Sequence, residues 1–243
     1  MYTLLKKEIS GFFSSLTGYV VIIVFLIINS LFMWVFPGAD NVLDAGYATL
    51  DTLFTIAPWV FLFLAPAVTM RLFADERKSG TIELLLTRPL SDFQIIFAKY
   101  LAGLVLVLFS ILPTLIYFYS VYQLGNPVGN IDTGGTWGSF IGLFFLAAIY
   151  VAIGVLSSSF TENQIVAFIV GMLLCFIVYI GFDYLSELVI FKSINGFIIN
   201  LGINEHYKSM SRGVIDSRDM IYFVSAIAFF LLITKTILQS RKW

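Results

Sequence analysis

Histidine and cysteine, which often bind metal ions or take part in catalysis, are scarce in this sequence. There is one histidine, His206, and one cysteine, Cys175, so a multi-histidine metal site and an intramolecular disulfide are both excluded. The phosphate-binding pattern G-x-x-x-x-G-K-[S/T] does not occur, and neither does G-x-S-x-G or H-E-x-x-H. We therefore expect a protein that is not an enzyme and has no cofactor of its own. Any energy from ATP must come from a separate subunit that binds the nucleotide.

The polar residues with the most specific order lie between positions 75 and 91. Asp75–Lys78 is charged and predicts a solvated exit from a membrane. Gly80 permits a turn, Thr81 can cap a following helix, and Pro89 ends that helix after a run of apolar residues. The pattern predicts a short amphipathic helix, whose apolar face either docks another protein or lies in the membrane interface.

The composition places the chain in a membrane. Of its 243 residues 59% are hydrophobic and 12% are charged, whereas soluble domains have about 25% charged residues. The mean hydropathy is +0.95. Six continuously apolar runs have the length that a helix needs to cross the hydrocarbon core, and they lack the alternation of barrel strands. We predict spans over 19–36, 53–70, 100–122, 137–160, 165–182 and 220–238.

Shorter elements are expected around these spans. Apolar residues recur at helical spacing over 2–16, which predicts an amphipathic helix in the headgroup plane before the first span. Leu185–Ile190 and Phe197–Ile203 are too short to span and predict short interfacial helices on the outer side, between spans five and six. The first apolar run is too long for a signal peptide, so we expect it to be retained. The fold class is all-α, with one transmembrane domain over 1–243.

The basic residues predict the orientation, because lysine and arginine accumulate in cytoplasmic loops. Ten of the 14 lie before span one, between spans two and three, or at the C-terminal end: Lys6, Lys7, Arg71, Arg77, Lys78, Arg88, Lys99, Lys235, Arg241 and Lys242. We expect both termini to be cytoplasmic. The exception is the last loop, which holds four basic residues and is expected outside.

The side chains within the spans are predicted to pack rather than to carry ions. No Asp, Glu or His lies deep in the six runs, which argues against a proton-coupled transporter and an intramembrane protease. Pro113 is expected to kink span three, and Pro58 and Pro66 lie in span two. His206 is expected to be a loop or interface residue.

The stretch from Glu76 to Pro89 resembles the E-R-x-x-G-T-[L/I]-E-x-L-L-x-x-P signature of ABC-2 type transporter permeases. The sequence is similar to that family in other respects too: six spans, an N-terminal "elbow" helix, cytoplasmic termini and a large outer loop before the last span. The resemblance implies a cytoplasmic coupling helix that sits in a groove of a partner ATPase. It implies coupling roles for Glu76, Gly80, Thr81, Glu83, Leu84, Leu85 and Pro89.

Within that family the chain is most similar to the gliding-motility-associated permeases called GldF. Residues 202–219 resemble an F-x-x-x-x-R-G-[VI]-[IV]-D-x-R-D stretch before the last span, with Tyr207 at the phenylalanine position. Arg212, Asp216 and Asp219 are candidates for salt bridges that anchor this loop. The resemblance implies a GldA-like cytoplasmic ATPase, a GldG-like membrane partner or a second permease copy, and a role in gliding motility or secretion at the inner membrane.

Two other functions fit the same sequence. The chain would also suit a scaffold that anchors a motility or secretion complex without transporting anything. A third interpretation is a permease that exports copper or lipid outside motility. We expect the lipid bilayer, and no nucleic acid, among the partners; the residues leave the transported substrate and the choice between homodimer and heteromer open.

Overall fold

The computed structural model describes residues 1–86 and 90–240, and these residues form helices without any strand. Six helical segments are long and apolar enough to cross a membrane: Leu16–Val35, Asp51–Lys78, Asp92–Leu124, Thr133–Phe160, Gln164–Glu187 and Ser217–Gln239. We refer to them as spans one to six. The prediction of an all-α protein with six spans is confirmed.

Fourteen α-helices build these spans and their connections within the described residues. In chain order they are α1 Tyr2–Ser14, α2 Leu16–Ser30, α3 Val42–Ala45, α4 Asp51–Thr69, α5 Arg71–Lys78, α6 Thr81–Leu86, α7 Asp92–Ile111, α8 Leu115–Leu124, α9 Thr133–Phe160, α10 Gln164–Phe176, α11 Phe182–Glu187, α12 Asn195–Ile199, α13 Ile203–Ser211 and α14 Ser217–Gln239. Span two thus consists of α4 and α5, span three of α7 and α8, and span five of α10 and α11.

Span four, formed by α9, is the centre of the bundle. In its apolar window 83% of the residues are buried, against 28% in span one and 22% in spans five and six. It packs against α4, α7, α10, α13 and α14. Two of its glycines allow this close packing, because a Cβ at Gly154 would collide with Thr69 of span two and one at Gly138 with the Met210 carbonyl. The outer spans keep apolar faces toward the surroundings, as membrane-spanning helices do.

Spans two and three extend further than the sequence predicted. Span two continues as helix to Lys78, and span three begins at Asp92. The expected solvated exit at 75–78 was wrong, since these residues are helical and three of the four are partly buried. Lys99, which had been assigned to a loop, is fully buried in α7. Hydropathy ended span two too early and began span three too late, because the charged residues there have partners on other helices: Glu76 pairs with Lys99, Arg77 bonds the Ser159 oxygen and Asp75 bonds Gln164.

The prolines act differently in the two spans. Pro113 interrupts span three as predicted, because α7 ends at Ile111 and a 3-10 turn, Leu112–Thr114, precedes α8. Pro58 lies inside α4, which continues through it. Proline has no backbone N–H, so the Phe54 carbonyl four residues earlier lacks its helical donor.

A side chain from another helix supplies that missing donor. The hydroxyl of Tyr207 in α13 donates to the Phe54 oxygen over 2.8 Å. Burial raises the pKa of Tyr207 well above its usual value, so the hydroxyl stays protonated and remains a donor. This hydrogen bond joins span two to the connection between spans five and six.

That connection contains short helices whose bounds differ from the prediction. The expected first short helix at 185–190 was wrong in part, because α11 prolongs span five to Glu187 and a 3-10 turn, Val189–Ile194, follows. The second expected helix, at 197–203, is replaced by α12 and α13. Of these, α13 packs against the central helix α9.

Candidate functional site

Lys99 of α7 is a buried cation surrounded by anionic and polar partners. Its Nζ lies 2.9 Å from a carboxylate oxygen of Glu76 in α5 and 3.1 Å from one of Glu8 in α1. It also donates to the backbone oxygen of Leu72 over 2.7 Å and lies 5.1 Å from the ring centre of Phe73. The Lys99 side chain is 1% exposed and both glutamates are 14% exposed. Buried charges persist when they are paired, so this cluster holds α1, α5 and α7 together.

Lys7 completes the charge balance of the cluster. Its Nζ lies 3.6 Å from carboxylate oxygens of both Glu8 and Glu76, on the solvent side of the pair. Two carboxylates are therefore matched by two ammonium groups, of which Lys99 is the buried one. The first helix of the chain is thus attached to span two by charge, and it packs against α7 of span three.

The residues on either side of Glu76 reach two further spans. Asp75 accepts a hydrogen bond from the side chain of Gln164, the first residue of α10. Arg77 donates to the backbone oxygen of Ser159 over 2.6 Å, near the end of α9. A guanidinium group suits this position, because the last carbonyls of a helix lack intrahelical donors and carry partial negative charge. We call residues 75–77 and these contacts the Asp75–Arg77 junction.

The Asp75–Arg77 junction is followed at once by a turn and a short helix. Gly80 has φ +70°, in the left-handed region that glycine adopts without steric cost. The hydroxyls of Ser79 and Thr81 lie 2.8 Å apart across this turn. Helix α6 then runs over Thr81–Leu86, with Glu83 exposed in its first turn. The turn and the start of α6 form an exposed projection that is joined directly to the junction.

The residues with predicted coupling roles divide between the junction and this projection. Glu76 is partly buried and paired internally, so its role in the structure is to join helices. Gly80, Thr81 and Glu83 are exposed. The backbone of Leu84 and Leu85 lies in α6, and Pro89 lies outside the described residues.

Sequence reasoning missed Glu8, Lys99 and the Arg77–Ser159 contact. The burial of Lys99 could have been predicted, since it is a lone cation with apolar residues on both sides in Phe97-Ala98-Lys99-Tyr100-Leu101. A cation in such a run is expensive unless a partner is near. Glu8 carried no such signal, because its place on an amphipathic helix is also typical of a solvated residue.

At the opposite end of the bundle, the three predicted salt-bridge residues have other contacts. Oδ1 of Asp219 lies 2.7 Å from Nδ1 of His206. Asp216 accepts the backbone N–H of Arg218 over 2.9 Å and so caps the start of α14. Arg212 is exposed, and the described part of the chain shows no ion pair for it. The expected charge pairs among these three residues are therefore replaced by a histidine–aspartate pair and a helix cap.

His206 connects three elements at this end. Its Nε2 lies 2.9 Å from the Asn200 oxygen, beyond α12, and its ring stacks on Tyr222 of span six at 3.8 Å between centres. Across residues 1–86 and 90–240, no group of three or more His, Cys, Asp or Glu side chains has a metal-binding arrangement. The histidine is thus an interface residue between α13 and span six.

Comparison with known proteins agrees with this architecture. A family model described as "ABC-2 family transporter protein" matches residues 2–211, which include spans one to five and the Asp75–Arg77 junction. The Uncharacterized protein YhcI of Bacillus subtilis (strain 168) is 37% identical over 100 residues, 41% of this chain and 29% of that relative. The alignment thus spans less than a third of the relative's length. The family model covers most of the 243 residues of the chain. This chain therefore belongs to the ABC-2 transporter family, as a membrane permease subunit.

Proposed function

We propose that α6 is the coupling helix at which a separate cytoplasmic ATPase docks, and that this chain is the permease which that ATPase drives. The Asp75–Arg77 junction is the observation that carries the proposal. Residues 75–77 lie shortly before α6, of which Thr81 and Glu83 are exposed. Glu76 contacts α1 and α7, through its pairing with Lys99 and Lys7, while Arg77 contacts α9 and Asp75 contacts α10. A force applied to α6 would therefore be distributed over most of the bundle.

The proposed mechanism is mechanical. Nucleotide-driven closure of the ATPase displaces α6, and α5 passes the displacement to α4, with which it forms span two. Span two packs against the central span four, so the two helices shift relative to one another. Packed helices change between discrete arrangements, which gives the permease two states.

The orientation follows from the same proposal. ATP is available in the cytosol, so the end of the bundle that carries α6 faces the cytoplasm, as do both termini of this chain. The uneven distribution of basic residues supports this assignment. The membrane is then the cell inner membrane.

The finer assignment is to gliding motility or its associated secretion. It is supported by the resemblance of residues 202–219 to GldF-type permeases, including Arg212, Gly213 and Asp216. In this proposal the ATPase is GldA-like, and a GldG-like protein or a second copy of the permease completes the membrane domain. The identity of the proteins that co-purify with the chain tests each part of this assignment.

The experiment is affinity purification of the full chain from detergent-solubilised membranes of its native host. We expect an ATPase with a phosphate-binding loop to co-purify with the wild-type chain. Glu83→Arg reverses an exposed charge on α6, and we expect it to reduce ATPase recovery by about tenfold, a loss of about 1.4 kcal/mol of binding. Insertion into the membrane should be unchanged, because Glu83 is exposed.

Glu187→Arg is the matched control. It makes the same charge reversal at an exposed helical residue at the opposite end of the bundle. ATPase recovery should stay at the wild-type level in this variant. Normal recovery with Glu83→Arg, or an equal loss with Glu187→Arg, would contradict docking at α6.

A further inference from the structure

Two cavities of different chemistry meet at Trp59 of span two. The first, of about 460 Å³, lies at the end of the bundle opposite to the Asp75–Arg77 junction, and we call it the polar cavity. The second, of about 430 Å³, lies between spans one and two, and we call it the apolar groove. Trp59 lines both, so the polar cavity and the apolar groove are adjacent.

The polar cavity combines carboxylates with aromatic rings. Asp51 and Asp132 line it, against one basic residue, Lys208, so acids exceed bases in its lining. Trp59 and Tyr179 also line it, with their rings edge to face at 5.5 Å between centres. Carboxylates and aromatic faces both attract cations, and the volume lies in the range of small-ligand sites.

The apolar groove is lined only by hydrophobic residues. Val24, Ile28 and Phe32 of span one form one side, and Phe63 of span two belongs to the other. From residue 24 to residue 32 a helix rises about 12 Å, which is long enough for a stretch of alkyl chain. Span one is only 28% buried in its apolar window, so the groove is open to the surroundings of the bundle.

We propose that the polar cavity and the apolar groove form one binding site for an amphiphile with an amine-bearing head and an apolar chain. The head lies between Asp51 and Asp132, and the chain lies along the groove past Trp59. The ligand enters sideways from the bilayer, since the groove faces it. Its role as transported substrate rests on the proposed function, whereas its binding does not require the ATPase.

Photolabelling of the full chain in phosphatidylcholine nanodiscs tests this site. The probe is hexadecylamine with a diazirine in its chain, and mass spectrometry maps the labelled peptides. We expect label on residues of the groove near Trp59, reduced about fivefold by excess unlabelled hexadecylamine. Hexadecanol carrying the same diazirine should label these residues about fivefold less than the amine, because it lacks the charge.

Variants that remove the carboxylate charges of the polar cavity test the proposal a second way. Asp51→Asn with Asp132→Asn should lower the amine labelling about fivefold and leave the alcohol labelling unchanged. Asparagine can still cap the start of α9, where Asp132 accepts the Gly135 N–H over 3.0 Å. Asp40→Asn, at an exposed acid outside the cavity, is the control and should label like the wild type.

Three results would overturn the proposal. They are equal labelling by amine and alcohol in the wild type, label spread evenly over the bilayer-facing residues, or an equal loss in Asp40→Asn. The competition and head-group comparisons use the wild-type chain, so they decide the question even if the double variant does not fold. Loss of ATPase binding in Glu83→Arg leaves these results untouched, which separates this test from that of the proposed function.

Discussion

Lys99 stabilises the fold through its ion pairs with Glu8 and Glu76. Lys99→Met keeps the length of the side chain but leaves Glu8 and Glu76 without their buried partner. Breaking a buried ion pair by removing one member costs about 3–5 kcal/mol, so we expect a clear fall in the midpoint temperature of unfolding. Thermal unfolding of the detergent-solubilised chain, followed by fluorescence-detected size-exclusion chromatography, measures this fall.

Removal of the unpaired charges should restore much of that loss. Lys99→Met combined with Glu8→Gln and Glu76→Gln eliminates the stranded carboxylates, since replacement of a whole buried ion cluster is often nearly neutral. Lys78→Met, at an exposed lysine near the end of α5, should change little. An undiminished loss in the triple variant would contradict an electrostatic role for Lys99.

The Tyr207–Phe54 hydrogen bond can be tested by a double-mutant cycle. Tyr207→Phe removes the donor to the Phe54 carbonyl, which Pro58 already deprives of its helical partner. A buried acceptor without a donor costs about 1–3 kcal/mol, so the midpoint temperature should fall. In a Pro58→Ala background the same change should cost much less, because alanine supplies a backbone N–H to Phe54. Equal losses in the two backgrounds would show that the hydroxyl has no such function.

The role of a single residue could be predicted from the sequence only where it depends on the local backbone conformation. Gly80 was predicted to permit a turn, and its positive φ agrees with that role. The partners of Glu76 were not predictable, because Glu8 and Lys99 lie 68 and 23 residues away and nothing local specifies such contacts. From the sequence, Tyr207 only stood at the phenylalanine position of a family pattern, whereas in the structure its hydroxyl donates to the Phe54 oxygen of span two.

At the scale of elements, the glycines of α9 set how closely its neighbours approach. Gly138→Ala would place a Cβ against the Met210 carbonyl of α13, and backbone cannot move aside as a side chain can. We expect lower thermal stability, by about 1–3 kcal/mol, as for overpacking elsewhere. Gly11→Ala in α1 meets nothing within 4 Å and should be neutral or slightly stabilising. Equal effects of the two variants in thermal unfolding would contradict close packing between α9 and α13.

The number of spans was predictable, but their ends were not. Long apolar runs determine where a chain crosses a membrane, so all six segments were predicted with their approximate centres. Their ends depend on whether flanking charges are solvated or paired. Residues 75–77 and Lys99 are charged and still belong to spans two and three, because partners from other helices offset the cost of burial.

At the scale of the whole molecule, span four connects the polar cavity to the Asp75–Arg77 junction. It begins beside Asp132 of the polar cavity and ends beside Ser159, the contact of Arg77. Its 28 residues correspond to about 42 Å of helix. A rigid element that touches both the junction and the cavity gives a physical route from ATP-driven movement to a change in ligand binding.

The proposed orientation is testable by cysteine accessibility. Cys175 is buried, and Cys175→Ala provides a background without cysteine. Lys6→Cys and Asp40→Cys each introduce an exposed thiol, at opposite ends of span one. In intact cells we expect a membrane-impermeant maleimide to label the Asp40→Cys variant and to label the Lys6→Cys variant only after permeabilisation. The reverse pattern would place α6 outside the cytoplasm and contradict docking of an ATPase there.

The rate of ATP hydrolysis by the co-purifying ATPase, measured in liposomes with and without this chain, tests the central claim most directly. Our account predicts that the wild-type chain changes this rate, that Glu83→Arg strongly reduces the change, and that Glu187→Arg preserves it. A rate that is the same with and without the wild-type chain would contradict coupling through α6 and favour a scaffold.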